Sequence, residues 1–503
     1  MKALIIGAVG LGLALMAVHA EPGMEVLTRG PVHEAYAGFV TYNPEPGPLV
    51  PKVPPAPIEE LPPTERPMGQ TVVWIPGYWA WDDERDDFLW VSGIWRVLPP
   101  ARQWVSGYWA QNPNGYQWVS GYWGDARVNA TTYMPVPPAT LEAGPNTPAP
   151  SADYVWVPGC WVWHQGRYAW RPGYWLVGRT EWDWVPASYA WTPRGYVFVD
   201  GYWDYAVDRR GVLFAPVYFA PTVVVRHYTP AVVIQTDVFA EHLFLRPRYR
   251  SYYFGDYYAA SYYSSGFFFS FNYFGYRHCY DTIQSRRRWQ HRHERDWQHR
   301  SQATYQQRRD NEADRPPRTW AAQQKIARQP EAAAVNVPTP IATSLENYNR
   351  QKPRNQRLQV VPEQERQKIV EREPAVQRYQ EDRRVRETRP PVEPPSEPKR
   401  VTVPRSPITS RPGNPVWAES EAPRVRRGPE PVTPAPQQRA PVQQAPPKQT
   451  APVTPPATDQ TPTETPSLRR DRSSSQGSML ERRVDEPPVS ANNPRRVWKN
   501  KSE

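Results

Sequence analysis

Along residues 71–205 the apolar positions do not follow a helical period. They recur in a six-residue unit, aromatic-x-x-Gly-x-Trp, that begins at Trp74, Trp90, Trp104, Trp118, Trp156, Trp170 and Phe198. A degenerate copy runs from Trp184 to Tyr189 and lacks the glycine. Starts lie 14 residues apart within each block, apart from a first step of 16, and a Pro-rich gap at 126–152 separates two blocks of four. A fixed period marks an array of equivalent structural units. Aromatic residues two positions out, such as Tyr154 beside Trp156 and Trp163 beside Trp161, share a face in an extended strand.

A two-residue turn at the centre of each unit, at Pro158-Gly159 for example, sets Trp156 opposite Trp161 and Trp170 opposite Trp175. Turns at Gln165-Gly166 and Arg179-Thr180 then set Trp161 opposite Trp170 and Trp175 opposite Trp184. The predicted fold is mainly β: an antiparallel meander of short Trp-rich hairpins in two repeat blocks, followed by a short helix and a long disordered tail. Its structural ladder is Trp74, Trp79, Trp90, Trp95, Trp104, Trp109, Trp118 and Trp123, then Trp156, Trp161, Trp170, Trp175, Trp184, Tyr189, Phe198 and Trp203. Cross-strand aromatic pairs contribute roughly 0.2–1 kcal/mol each over Ala pairs. Pro-Gly, however, favours type II turns, whose twist opposes that of hairpin strands. A continuous strand with a glycine bulge is therefore the competing arrangement, with Trp156 and Trp161 on opposite faces.

The units Trp104-Val-Ser-Gly-Tyr-Trp109, Trp118-Val-Ser-Gly-Tyr-Trp123 and Trp170-Arg-Pro-Gly-Tyr-Trp175 resemble the YXWGXW (WXXGXW) repeat family of secreted bacterial proteins. Trp156-Val-Pro-Gly-Cys-Trp161 extends the resemblance, which covers residues 71–205 well and 206–330 loosely. It implies export and repeat architecture. The family has no assigned catalytic residues and its biochemical function is unknown.

Residues 1–20 carry Lys2, an apolar run from Ala3 to Val18 and Val18-His19-Ala20, the pattern of a cleaved signal peptide. A Pro-rich leader follows at 21–70, then the repeat blocks at 71–125 and 153–205 with their linker at 126–152. Short β-branched and aromatic runs, Val223-Val224-Val225 and Val232-Val233-Ile234 among them, predict a β-rich extension over 206–283 with a helical turn near Asp237–Phe244. Residues 284–335 read as a solvated basic helix broken at Pro316-Pro317. Beyond 336 there are 30 prolines in 168 residues and few aromatics, which predicts disorder with one helix near 362–387.

Charge sharpens this layout. The chain is +11 overall, but residues 1–283 hold 19 Lys+Arg against 24 Asp+Glu, while 284–503 hold 42 against 26. A mildly acidic aromatic unit thus carries a basic arm. In an exported protein that arm points to an envelope component as partner: anionic lipid, acidic polysaccharide or another envelope protein, rather than nucleic acid. The expected location is periplasm, cell surface or medium, with no transmembrane span after signal cleavage. The candidate polyanion contacts are Arg286-Arg287-Arg288, Arg383-Arg384 and Arg495-Arg496.

Candidate chemistry is sparse. No phosphate loop, nucleophile elbow or zinc signature occurs, so neither catalysis nor a cofactor is expected. Cys160 and Cys279 are the two cysteines, open to a disulfide or to two free thiols. His278, His291, His293 and His299 with Glu294 form a loose cluster among arginines, read as a solvated basic helix rather than a metal site. Asp82, Asp83, Glu84, Asp86 and Asp87 read as a charged hairpin tip rather than a Ca²⁺ loop. The tryptophan face is expected to be core, which makes the chain a structural or interaction protein. If the face were exposed, Trp81, Trp109, Trp123 and Trp163 would suit sugar stacking in a carbohydrate- or peptidoglycan-binding module.

Overall fold

The computed structural model describes residues 23–38, 40–69, 71–270, 279–328, 339–352, 357–389 and 394–409. Residues 1–20, expected to be a signal peptide, His278, Arg495-Arg496 and the tail from 410 lie outside them.

The fold is mainly β, and its repeating element is a bent hairpin of two nested strand pairs. In the third hairpin Tyr154–Val157 pairs with Tyr174–Val177, and Cys160–His164 pairs with Arg167–Arg171. The others are built alike: Val72–Ile75 with Ile94–Val97 around Tyr78–Asp82 with Asp87–Val91, Arg102–Val105 with Tyr122–Asp125 around Tyr108–Asn112 with Gly115–Val119, and Trp182–Val185 with Tyr202–Tyr205 around Ser188–Thr192 with Gly195–Val199.

This corrects the meander. The chain does not reverse at Pro158-Gly159; both strands run on past the glycines, and the ladder is interrupted there. Trp156 therefore faces Trp175 rather than Trp161, and Trp184 faces Trp203 rather than Trp175. The physical reason is the twist conflict of Pro-Gly already noted. Reversal occurs instead at Gln165-Gly166, where φ is +49° and +77°, the two positive values a type I′ turn requires. The tip pairs Trp161 with Trp170 and Trp163 with Tyr168 follow the expected register, and the four-residue acidic loop after Asp82 leaves Trp79 opposite Trp90.

Segments expected to be extended or disordered complete the sheets. The leader is sewn in by short pairings: Met24–Val26 with Val217–Phe219, Val40–Thr41 with Cys279–Tyr280, and Leu49–Val50 with the second hairpin. Ala130–Met134 from the linker bridges the fourth hairpin to Lys399–Thr402. Ala342–Ser344 pairs with Val232–Ile234. The helix Glu363–Thr388 lies close to the expected span, but it is docked rather than isolated, with Val376, Tyr379 and Arg383 buried. Residues 339–352, 357–389 and 394–409 are thus part of the fold, because long-range partners supply the burial their own composition lacks. Val223-Val224-Val225 forms no strand, and Val224 is exposed.

The basic 284–335 region forms three helices, Thr282–Gln290, Trp297–Asp310 and Trp320–Ala327, in place of one broken helix. No helix among the described residues is long and apolar enough to cross a membrane. Between the hairpins run buried ion pairs: Arg96 to Asp204 at 2.5 Å, and Arg210 to Asp183 and Asp204 at 3.1 and 3.2 Å. The Arg96–Asp204 pair fastens the first hairpin to the fourth, and Arg210, just beyond the fourth, holds Asp183 and Asp204 within it.

Candidate functional site

The six-residue unit acquires its meaning from the nested pairing. At Gly77, Gly93, Gly107, Gly121, Gly159, Gly173 and Gly201 the space a β-carbon would need is taken by the indole ring that begins the partner unit of the same hairpin. A β-carbon on Gly93 would stand 2.6 Å from Cζ2 of Trp74, and one on Gly159 equally close to Trp170. None of these seven glycines has positive φ, so close approach, not backbone freedom, demands glycine here. The degenerate copy obeys the same rule. Ala187 stands where the glycine would be, and the ring across from it is Phe198, smaller than tryptophan.

Three hairpins share a further device, a glutamate from outside the hairpin that accepts hydrogen bonds from the motif. Glu60 accepts from the Gly77 and Gly93 amides and from the Trp90 indole at 2.9–3.2 Å. Glu34 accepts from Trp118 and Gly121 at 2.8 and 2.9 Å, and Glu142 from Trp156 and Gly159 at 2.9 and 2.5 Å. Where the ladder breaks at the glycines the backbone amides lose their cross-strand acceptors, and a buried orphan donor costs about 1–3 kcal/mol. The carboxylates replace what the bend removes. Burial raises the pKa of Glu34, and raises that of Glu60 to about 7, against the opposing pull of these donors. The fourth hairpin has no such glutamate among the described residues, and the indole N–H groups of Trp184 and Trp203 are buried without a partner. Sequence reading missed all three glutamates, which sit in Pro-rich stretches; a shared Val-Pro-Pro-Ala just ahead of Glu60 and Glu142 was the available signal.

A protein-family model described as "WXXGXW repeat (2 copies)" matches residues 72–96, 104–123, 152–175 and 182–204. Each match spans one bent hairpin, so two copies of the motif are one structural unit. The chain carries WXXGXW repeats. Among curated proteins and solved structures nothing matches it.

In the WXXGXW hairpins half of the ladder rings are interior and the other half partly covered. Trp74, Trp90, Trp95, Trp104, Trp123, Trp156, Tyr189 and Trp203 are buried; Trp79, Trp109, Trp118, Trp161, Trp170, Trp175, Trp184 and Phe198 are half-buried. Facing rings meet mostly edge to face with centroids 5.1–5.5 Å apart, a favoured aromatic geometry. The rings singled out for sugar stacking are engaged as well. Trp81 and Trp123 are buried, Trp109 packs on Phe88 and Trp163 on Tyr168.

The remaining candidates resolve into structure. Cys160 and Cys279 are both free. Cys160 accepts from Arg171, and burial pushes the Cys279 thiol far up. In the acidic loop Asp83 pairs with Arg246, Glu84 with Arg29 and Arg318, and Asp87 with Lys52. His291 pairs with Glu294 and stacks on Trp297. No group of three or more metal-ligating side chains occurs among the described residues. Two of the arginines expected to meet polyanions are internal. Arg286 donates to the carbonyls of Arg179 and Thr180, and Arg383 holds the Ser106 and Ser120 carbonyls and Glu387.

Proposed function

We propose that the chain is a non-catalytic, exported structural or interaction protein of the bacterial cell envelope, in which four WXXGXW hairpins form a rigid aromatic body. The observation that carries the reading is where the motif spends its side chains. Motif tryptophans lie over glycines of their own hairpin, the three glutamates accept from the motif, and Asp83, Glu84 and Asp87 of the acidic loop pair with arginines and Lys52, which supports a structural use of these groups. The carbohydrate-binding alternative has less support, since no described tryptophan is among the exposed large apolar side chains.

The basic arm takes a revised form in this reading. Residues 410–503 hold 15 Lys+Arg and 10 Asp+Glu, whereas 284–409, most of them folded, hold 27 and 16. An electrostatic partner would therefore meet the folded surface as well as the arm. Retention of the full chain on isolated cell envelopes at low and at high salt tests the proposal. Retention that falls steeply with salt is expected; absence of binding at low salt contradicts it. Recovery of the protein in the cytoplasmic fraction of fractionated cells would contradict the export component.

A further inference from the structure

A cavity of about 380 Å³ opens between the first two hairpins, the Pro54–Pro57 segment and the helix Glu363–Thr388. Aromatic rings, Trp79, Trp104 and Trp109 among them, form one wall, and Gln377 and Glu373 stand on the helix side. Burial and the nearby Glu59 raise the pKa of the Glu373 carboxyl, against a hydrogen bond with Gln377. The cavity thus combines an apolar aromatic wall, an amide and the Glu373 carboxylate, which has no ion-pair partner among the described residues, whereas Arg384 on the same lining is paired with Glu381.

The molecule itself shows what such a surface holds. Trp79 donates its indole N–H to the Ala56 carbonyl at 2.8 Å, and Trp161, at the equivalent place in the third hairpin, donates to Ala139 at 2.9 Å. Both alanines end the same four residues, Val53-Pro54-Pro55-Ala56 and Val136-Pro137-Pro138-Ala139. An extended proline-rich strand leaves its carbonyls free for outside donors, and aromatic grooves with an indole N–H are a recurrent way to bind it. The pattern Val-x-Pro-Ala returns at Val432-Thr433-Pro434-Ala435, shortly after Arg424, Arg426 and Arg427. Thr409, where the described chain ends, bridges to Gln103, next to the cavity-lining Trp104. The 22 residues from 410 to 431 would span about 25 Å as a flexible chain, enough to return to that hairpin.

We propose that this cavity is a binding site for a proline-rich extended segment and that its occupant is Val432-Thr433-Pro434-Ala435 of the same chain, with the preceding arginines set against Glu373. A photo-crosslinking residue placed at position 433 of the full chain tests it. The expected adduct lies within one molecule and joins position 433 to peptides holding Trp104–Trp109 or Glu373–Arg384. Adducts confined to other regions, adducts between two copies, or no adduct would overturn the assignment. A second measurement avoids the folded part altogether. In full-length Pro434→Ser, amide exchange across Glu373–Arg384 should quicken by about tenfold, as for loss of a contact near 1.4 kcal/mol; unchanged exchange would also overturn it.

Discussion

Trp170 lies across Gly159 so closely that a β-carbon there would stand 2.6 Å from Cζ2 of the indole. The same relationship, repeated through four hairpins, explains why the motif needs a glycine three residues after each leading aromatic.

Gly159→Ala should destabilise the protein by about 1–3 kcal/mol, the range for overpacking a filled site. Adding Trp170→Phe should recover part of that loss, since Ala187 and Phe198 already coexist at the equivalent places. Thermal unfolding of the two single variants and the double variant measures the coupling; simple additivity of the two losses would contradict the packing argument.

The glutamates predict a pH dependence with a definite sign. Glu60 and Glu373 have pKa values raised by burial from 4.5 to about 7, and Asp183 from 3.8 to about 6. Such a carboxyl retains in the fold a proton that the unfolded chain releases. Its contribution is full below the unfolded pKa and is lost as pH rises toward the folded one. The melting temperature should therefore fall between pH 5 and pH 7.5, and Glu60→Gln should flatten the decline. An identical slope in the variant would exclude Glu60 as a source.

Arg383 and Glu387 form a buried pair, each about 1% exposed, and Glu387 also accepts from Tyr108 and Tyr133. Arg383→Met leaves that carboxylate without its cation and should cost about 3–5 kcal/mol in denaturant unfolding. Replacing both partners by apolar residues should cost less than the single change.

Thiol chemistry should report two free cysteines. In the native protein Cys279 should react with a maleimide only on unfolding, and non-reducing electrophoresis should show no internal bridge. A Cys160–Cys279 disulfide would contradict the structure.

Much of this fold was legible where the signal was local. The tip register around Trp161 and Trp170, the turn at Gln165-Gly166 and the helix near 362–387 follow from alternation, turn chemistry and composition. The nesting was only half legible: a 14-residue spacing fits a meander and a bent hairpin equally, the twist of Pro-Gly argues against reversal at Pro158-Gly159, and the close approach of Trp170 to Gly159 shows which partner unit each glycine meets. Glu34, Glu60 and Glu142 escaped notice for a related reason. A carboxylate in a Pro-rich stretch looks solvated until the amide it meets, 17 to 87 residues away, is known. Ala342–Ser344 and Lys399–Thr402 likewise become strands only through partners far along the chain.

The central claim is that two motif copies fold into one nested hairpin, and disulfide trapping tests it most directly. With Cys160 and Cys279 replaced by serine, cysteines at Val155 and Leu176, which face each other across the outer pair, should oxidise to a bridge in the folded protein. Cysteines at Val155 and Val162, neighbours only if the chain reverses at Pro158-Gly159, should stay reduced. Bridging at 155 and 162 without bridging at 155 and 176 would contradict the account.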